Sequence, residues 1–261
     1  MWTSHFAPAF FLKPFSAETP LSLLALASTL PDILWLALSL GGYEEIRYRP
    51  HHGCFPYDAK YPYTHSLLGM GVIGFVFGLF VTLTRGLGLK SFLAINAATI
   101  SHWVLDVIVH RHDITLTPDP VSAHYGFGIF DHPKILFVID FGLLLSSLIY
   151  YSATAMPDNR RLQTKKLLML GALFAGMQVV FSFVEIPGRQ ARWVHAPLFL
   201  LQLLGAVGML DAIERRGDDV LGRVEKGVRR AVEGTRVEKA HGRKDRNTEK
   251  YWELNEIPRE I

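Results

Sequence analysis

The chain has 261 residues, a formal net charge of +3 and 20% charged residues, but those charges are split unevenly. Residues 1–212 hold 27 charges and residues 213–261 hold 24, about 13% against about half. The first part is too apolar for an ordinary soluble domain and the last too polar to build a core, which excludes one soluble globule. The histidines split the other way: ten of the eleven lie in the apolar part. The single cysteine, Cys54, excludes an intrachain disulfide and a Cys-rich zinc module. No glycine-rich phosphate loop or nucleotide-binding fingerprint is present. The aromatics lie in apolar segments rather than among basic residues, which argues against nucleic acid as a partner.

In chain order, MWTSHFAPAFFLKP lacks the basic start and small-residue cleavage site of a signal peptide, so the first hydrophobic helix is expected to be retained. His5–Phe15 is too short to span a bilayer and reads as an interfacial or re-entrant piece. Six stretches are apolar enough to span: 21–40, 67–84, 91–110, 135–151, 167–186 and 194–213. The expected fold is an all-α polytopic bundle over residues 1–213, with about six transmembrane helices. A charged C-terminal tail follows over 214–261. Val220, Val224, Val228 and Val232 recur every four residues there. They fit a short amphipathic helix resting on anionic lipid, or a solvated tail. The excess of Lys and Arg in the 160–166 loop and after the last span predicts cytoplasmic N- and C-termini.

An ionisable group inside a span costs about 2.5–3.5 kcal/mol on insertion scales, so each needs a reason. The densest case is SHWVLDVIVH, where His102, Asp106 and His110 stand at i, i+4 and i+8 on one helical stripe. Two imidazoles and a carboxylate in a row form a metal-ligand pattern, and equally a hydrogen-bond ladder facing a neighbouring helix. Pro31-Asp32 lies inside the first span, where the proline frees a backbone carbonyl near a carboxylate that must be neutral, paired or metal-bound. His65 enters the second span between Thr64 and Ser66, either of which suits a helix N-cap. With N-in topology, Asp32, His65, His102, Asp106 and His110 all occupy the outer leaflet. His5 joins them only if the N-terminal stretch packs down into the bundle.

The loop HRHDITLTPDPVSAHYGFGIFDHPK is unusually polar. Its Gly126 and Gly128 permit close backbone approach, and Arg111 could pair with a phosphate or carboxylate. His51 and His52 read as surface residues, Glu185 and His195 as interfacial. Asp140 needs a partner on a neighbouring helix.

The run PDILW, YTHSLL and SHWVLDVIVH, set in hydrophobic spans behind an N-terminal histidine, resembles the YdjM-type membrane-bound metal-dependent hydrolase-like family. The resemblance covers roughly residues 1–150 and extends to YGFGIFDHP, with His112 and Asp131 departing from the pattern. It implies a metal site of His5, Asp32, His65, His102 and Asp106, with His110, Arg111 and Asp113 in a longer signature. On that reading, a divalent ion, zinc or similar, is held by His65, His102 and Asp106, with Asp32 and His5 as further ligands or a second site. Asp32 is otherwise the general base, and Arg111 steadies an anionic group. The expected activity is hydrolysis of a lipidic or phosphoester substrate. The alternative is a non-enzymatic ion or proton transporter, or a scaffold with a structural His/Asp network.

Overall fold

The computed structural model describes residues 3–49, 53–119, 121–155, 160–184, 197–211 and 214. The chain divides into two compact units, Met1–Glu214 and Arg215–Ile261. The second, with the expected tail helix, lies outside the described residues, as do His51, His52, Glu185 and His195.

The first unit is helical. A 3-10 turn, Thr3–Phe6, leads into α1 (Ala7–Leu12). The long helices are α2 (Leu21–Gly41), α3 (Leu67–Arg85), α4 (Leu89–Val109), α5 (Pro133–Thr154) and α6 (Arg160–Phe183). All five are long and apolar enough to cross a membrane. A shorter apolar helix, α7 (Pro197–Asp211), covers most of the expected sixth span, whose two ends lie outside the described residues. Helix α6 begins earlier than its apolar run, because hydropathy marks only the stretch that suits hydrocarbon while the helix continues into its polar approach.

Packing follows residue size. Helix α4 lies against both α2 and α3, α5 pairs with α6, and α1 packs against α2, α4 and α5. Gly74 and Gly78 of α3 face Thr99 and Asn96 of α4, where a Cβ would come within 3.1 Å and 2.8 Å of those side chains. Small residues at this spacing let two spans approach closely. On the opposite side, α3 exposes Leu68, Val72, Phe75, Val76, Leu79, Phe80 and Leu83, an apolar face suited to lipid tails.

The joining segments hold structure that hydropathy does not reveal. Glu45–Tyr48 (β1) and Tyr57–Lys60 (β2) form an antiparallel hairpin, and Ile114–Thr115 (β3) pairs with His124–Tyr125 (β4). The loop after α4 closes back on the helix ends: Trp103 Nε1–H donates to the Thr115 carbonyl at 2.8 Å, and Leu68 N–H donates to the Leu116 carbonyl at 3.0 Å.

His110 is the third member of the stripe and also its end: its N–H still bonds to the Asp106 carbonyl at 2.8 Å and its Nε2 faces Asp106 Oδ1 at 3.5 Å. Helix α4 stops at Val109, and His110 is extended, with φ −67° and ψ 156°. The loop supplies the donors that end the helix: Phe127 N–H bonds to the Val107 carbonyl and Gly128 N–H to the His110 carbonyl at 2.7 Å. These satisfy carbonyls that the last turn leaves open.

Candidate metal centre

His5, Asp32, His65, His102 and Asp106 meet at one end of the bundle, each 6% exposed or less. Antiparallel connections bring them there: the second half of α2, the start of α3 and the second half of α4 share that end. His5 arrives because the N-terminal turn is inside the bundle, not at its surface. Asp140 of α5 accepts the Ser4 N–H at 2.9 Å, and Gln178 of α6 accepts the Thr3 hydroxyl at 3.1 Å. Asp140 thus finds its partner on the N-terminal segment and helps to seat His5. The His5 ring stacks on His102, with centroids 3.8 Å apart and planes 17° from parallel.

A missing backbone donor in α2 prepares part of the site. Pro31 has no N–H, so the carbonyl of Ala27, four residues back, loses its helical partner. The Thr99 hydroxyl of α4 reaches that carbonyl at 3.1 Å. At the neighbouring carbonyl, of Ser28, His102 Nδ1–H donates at 2.7 Å. A carbonyl only accepts, so Nδ1 carries a proton, and in the neutral ring the His102 Nε2 lone pair faces inward.

His65 is oriented by a relay. Glu44 accepts the Tyr63 and Thr64 N–H groups on Oε1, at 3.0 Å and 3.1 Å, and the Thr64 hydroxyl on Oε2 at 2.8 Å. With its proton given to Glu44, the hydroxyl accepts from His65 Nδ1–H at 2.9 Å. In the neutral ring His65 Nε2 is then a lone pair, and in the protonated ring it donates to Asp32 Oδ1 at 3.3 Å. Ser66, not Thr64, caps α3, accepting the Gly69 N–H. That leaves Thr64 free for the relay.

His110 follows the same rule at the edge of the cluster. Tyr61 donates to Asp113 Oδ2 at 2.6 Å and contacts His110 Nδ1 at 2.8 Å. Burial, reinforced by the Asp113 carboxylate, pushes the Tyr61 phenol well above its ordinary pKa, so it stays protonated. Burial opposes charge on Asp113 too, but His110 and the Tyr61 hydroxyl hold its carboxyl below the usual range. The Tyr61 oxygen and Asp113 both act as acceptors for His110 Nδ1–H, and His110 Nε2 faces Asp106 Oδ1 at 3.5 Å.

Three Nε2 lone pairs thus point at two carboxylates. His65 Nε2 lies 3.3 Å from Asp32 Oδ1 and 3.7 Å from Asp106 Oδ2. His102 Nε2 lies 3.8 Å and 3.0 Å from the same atoms. A bare lone pair against an anion is repulsive, so each contact needs either a proton on Nε2, as in the His65 hydrogen bond to Asp32 Oδ1 at 3.3 Å, or a metal ion between the two atoms. These four nitrogen–oxygen separations, 3.0–3.8 Å, bracket the about 3.4 Å edge expected around a tetrahedral ion with bonds of about 2.0–2.1 Å. Among the described residues, neither His5 ring nitrogen nor His102 Nε2 has a hydrogen-bond partner. Two triads could hold an ion by distance, His5–Asp32–His102 and His65–His102–Asp106. The donor set, imidazole and carboxylate, suits zinc and similar divalent ions.

Arg111 sits apart from the five. Its guanidinium is engaged by Asp131 Oδ1, at 3.0 Å from Nε and 2.6 Å from Nη2, and by the Phe55 carbonyl. Its charge is paired with a carboxylate, a half-exposed ion pair that a substrate anion would have to share.

Glu44, Thr64, Tyr61 and Ser28 are partners that the sequence reading did not assign. Only the adjacency of Thr64 to His65 hinted at one of them. If the relay orients His65, Thr64→Val is expected to weaken metal affinity about 10–100-fold, the usual cost of losing an outer-shell partner. Competition with a chromophoric chelator checks this. Unchanged affinity would remove the relay from the account. No protein-family model, curated protein or solved structure matches the chain.

Proposed function

We propose that this is a membrane-embedded metalloprotein that uses a zinc-type divalent ion to hydrolyse a lipidic ester or phosphoester. The observation that carries the reading is the convergence of inward lone pairs on His65 and His102 with the carboxylates of Asp32 and Asp106, each histidine fixed from behind by an acceptor. The YdjM-type resemblance points the same way. Positive charge over residues 160–166, at the start of α6, favours cytoplasmic termini, and with that orientation the centre falls in the outer half of the bilayer.

A bound ion of this type supplies Lewis acidity and lowers the pKa of a coordinated water to about 7. The chain's own residues do the rest. His102 and His65 keep their Nδ1 protons and hold their rings in place. Where Asp32, the most exposed of the five, is not itself a ligand, it accepts the proton of the attacking water. The apolar walls exclude bulk water and favour a substrate that enters from the lipid.

The test uses the full chain in detergent, metal-loaded, against a panel of lipid esters and phosphoesters. Turnover is expected, abolished by chelation and by His102→Ala and restored to wild type by added metal. Full metal occupancy without turnover on any substrate would defeat the hydrolase reading.

Burial favours a second reading. Four protein atoms around one ion close a tetrahedral site, as in structural centres, and every cluster side chain is nearly inaccessible. The ion would then be a staple between α2, α3 and α4. That reading predicts metal-dependent stability with no catalysis.

A further inference from the structure

We propose that the centre takes two divalent ions, bridged by the Asp106 carboxylate, a proposal that rests on the metal-binding reading above. The two oxygens of Asp106 face different histidines. Oδ2 faces His102 Nε2 at 3.0 Å and His65 Nε2 at 3.7 Å. Oδ1 faces His5 Nε2 at 3.2 Å and His110 Nε2 at 3.5 Å. Asp32 divides in the same way: Oδ1 toward His65 and His102, Oδ2 toward His5 Nδ1 at 3.5 Å.

The first ion has the four atoms already described. The second takes His5 Nε2, His110 Nε2 and Asp106 Oδ1, whose 3.2 Å and 3.5 Å separations again straddle the about 3.4 Å edge of a tetrahedral site. With its Nε2 on the ion, His5 carries its proton on Nδ1, directed toward Asp32 Oδ2. His110 keeps its proton on Nδ1 for Tyr61 and Asp113. His65, His102 and His110 then each have one nitrogen on an ion and the other on an oxygen acceptor, as metal-ligating histidines characteristically do, while His5 Nδ1 approaches Asp32 Oδ2 at 3.5 Å.

Charge supports the count. Asp32 and Asp106 line the ions directly, and Glu44 and Asp113 complete the relays behind His65 and His110. Two divalent ions match these four carboxylates charge for charge. A bridging carboxylate sets metals about 3.5–4 Å apart, the separation of two-metal hydrolytic centres. Three protein ligands leave the second ion an open position, whereas the first is closed. The break of α4 at Val109 belongs to this arrangement: the loop turns His110 off the helix while keeping its Nε2 at Asp106.

The test is metal content per chain, measured on the full-length protein after loading with Zn2+, with Mn2+ loading for electron paramagnetic resonance. Two Zn2+ per chain are expected in the wild type and one in His110→Ala. Wild-type protein loaded with Mn2+ should show an exchange-coupled pair, replaced in His110→Ala by a single uncoupled ion. One ion per wild-type chain, unchanged by His110→Ala, would overturn the second site while leaving the first. Two ions without coupling would overturn the bridge. No bound ion would overturn this proposal and the metal reading together. The coupled signal of the wild type decides the matter even if His110→Ala does not fold.

Discussion

Asp106→Asn is expected to empty the centre of metal while leaving the bundle folded. Asp106 is buried, and its two oxygens between them face four histidines. The amide removes the negative charge and replaces one oxygen by a nitrogen that has no lone pair to give. Affinity should fall by more than the roughly 10–100-fold that an outer-shell partner is worth. Stability separates metal from mere hydrogen bonding. In a metal centre, the wild type is stabilised by its ion, by about 2.7 kcal/mol at 100 times the dissociation constant. Chelation therefore lowers wild-type stability towards that of the variant and leaves the variant unmoved. In a metal-free ladder of charged histidines and aspartates, Asp106→Asn would break buried ion pairs and cost about 3–5 kcal/mol regardless of chelator. Thermal unfolding with and without chelator is the measurement. A variant strongly destabilised beside a chelator-insensitive wild type would reject the metal.

Gly126→Ala is expected to spring the loop that ends α4. Gly126 has φ +152°, and a Cβ there would lie 1.9 Å from the Arg111 carbonyl oxygen and 2.4 Å from that of His110. Both obstacles are backbone and cannot rotate away. Overpacking and the disallowed backbone each cost about 1–3 kcal/mol, a local loss of about 2–6 kcal/mol. Proteolytic cleavage within residues 111–132 should rise at least about 30-fold, the population change that 2 kcal/mol produces. Gly142→Ala is the control, since nothing lies within 4 Å of a Cβ at that position. Equal cleavage of the two variants would show that the loop does not depend on this contact.

The helices were legible because each apolar run had to bury or shed its backbone within one segment. Length and hydropathy alone place α2 to α5 within about three residues. The meeting of Asp32, His65, His102 and Asp106 was legible from depth: antiparallel spans with ionisable groups at matching heights leave few other arrangements. His5 was not, because nothing local says that Thr3–Leu12 packs inside. Its place depends on Asp140 and Gln178, more than 130 residues away. The end of α4 was not legible, because helical periodicity cannot see the loop N–H groups that stop it at Val109. The relays through Glu44 and Tyr61 were missed for a related reason. They come from segments joining the spans, where hydropathy gives no periodicity to read.

The seating of His5 also has a consequence in time. His5 is translated long before Asp140 and Gln178, yet the turn that carries it is held by those two side chains on α5 and α6. As spans leave the ribosome in order, α2, α3 and α4 can assemble around Asp32, His65, His102 and Asp106 while the N-terminal segment still waits. The core of the centre therefore precedes its last histidine. A chain halted after α4 would present an unfinished cluster, and only the arrival of α5 and α6 would close it.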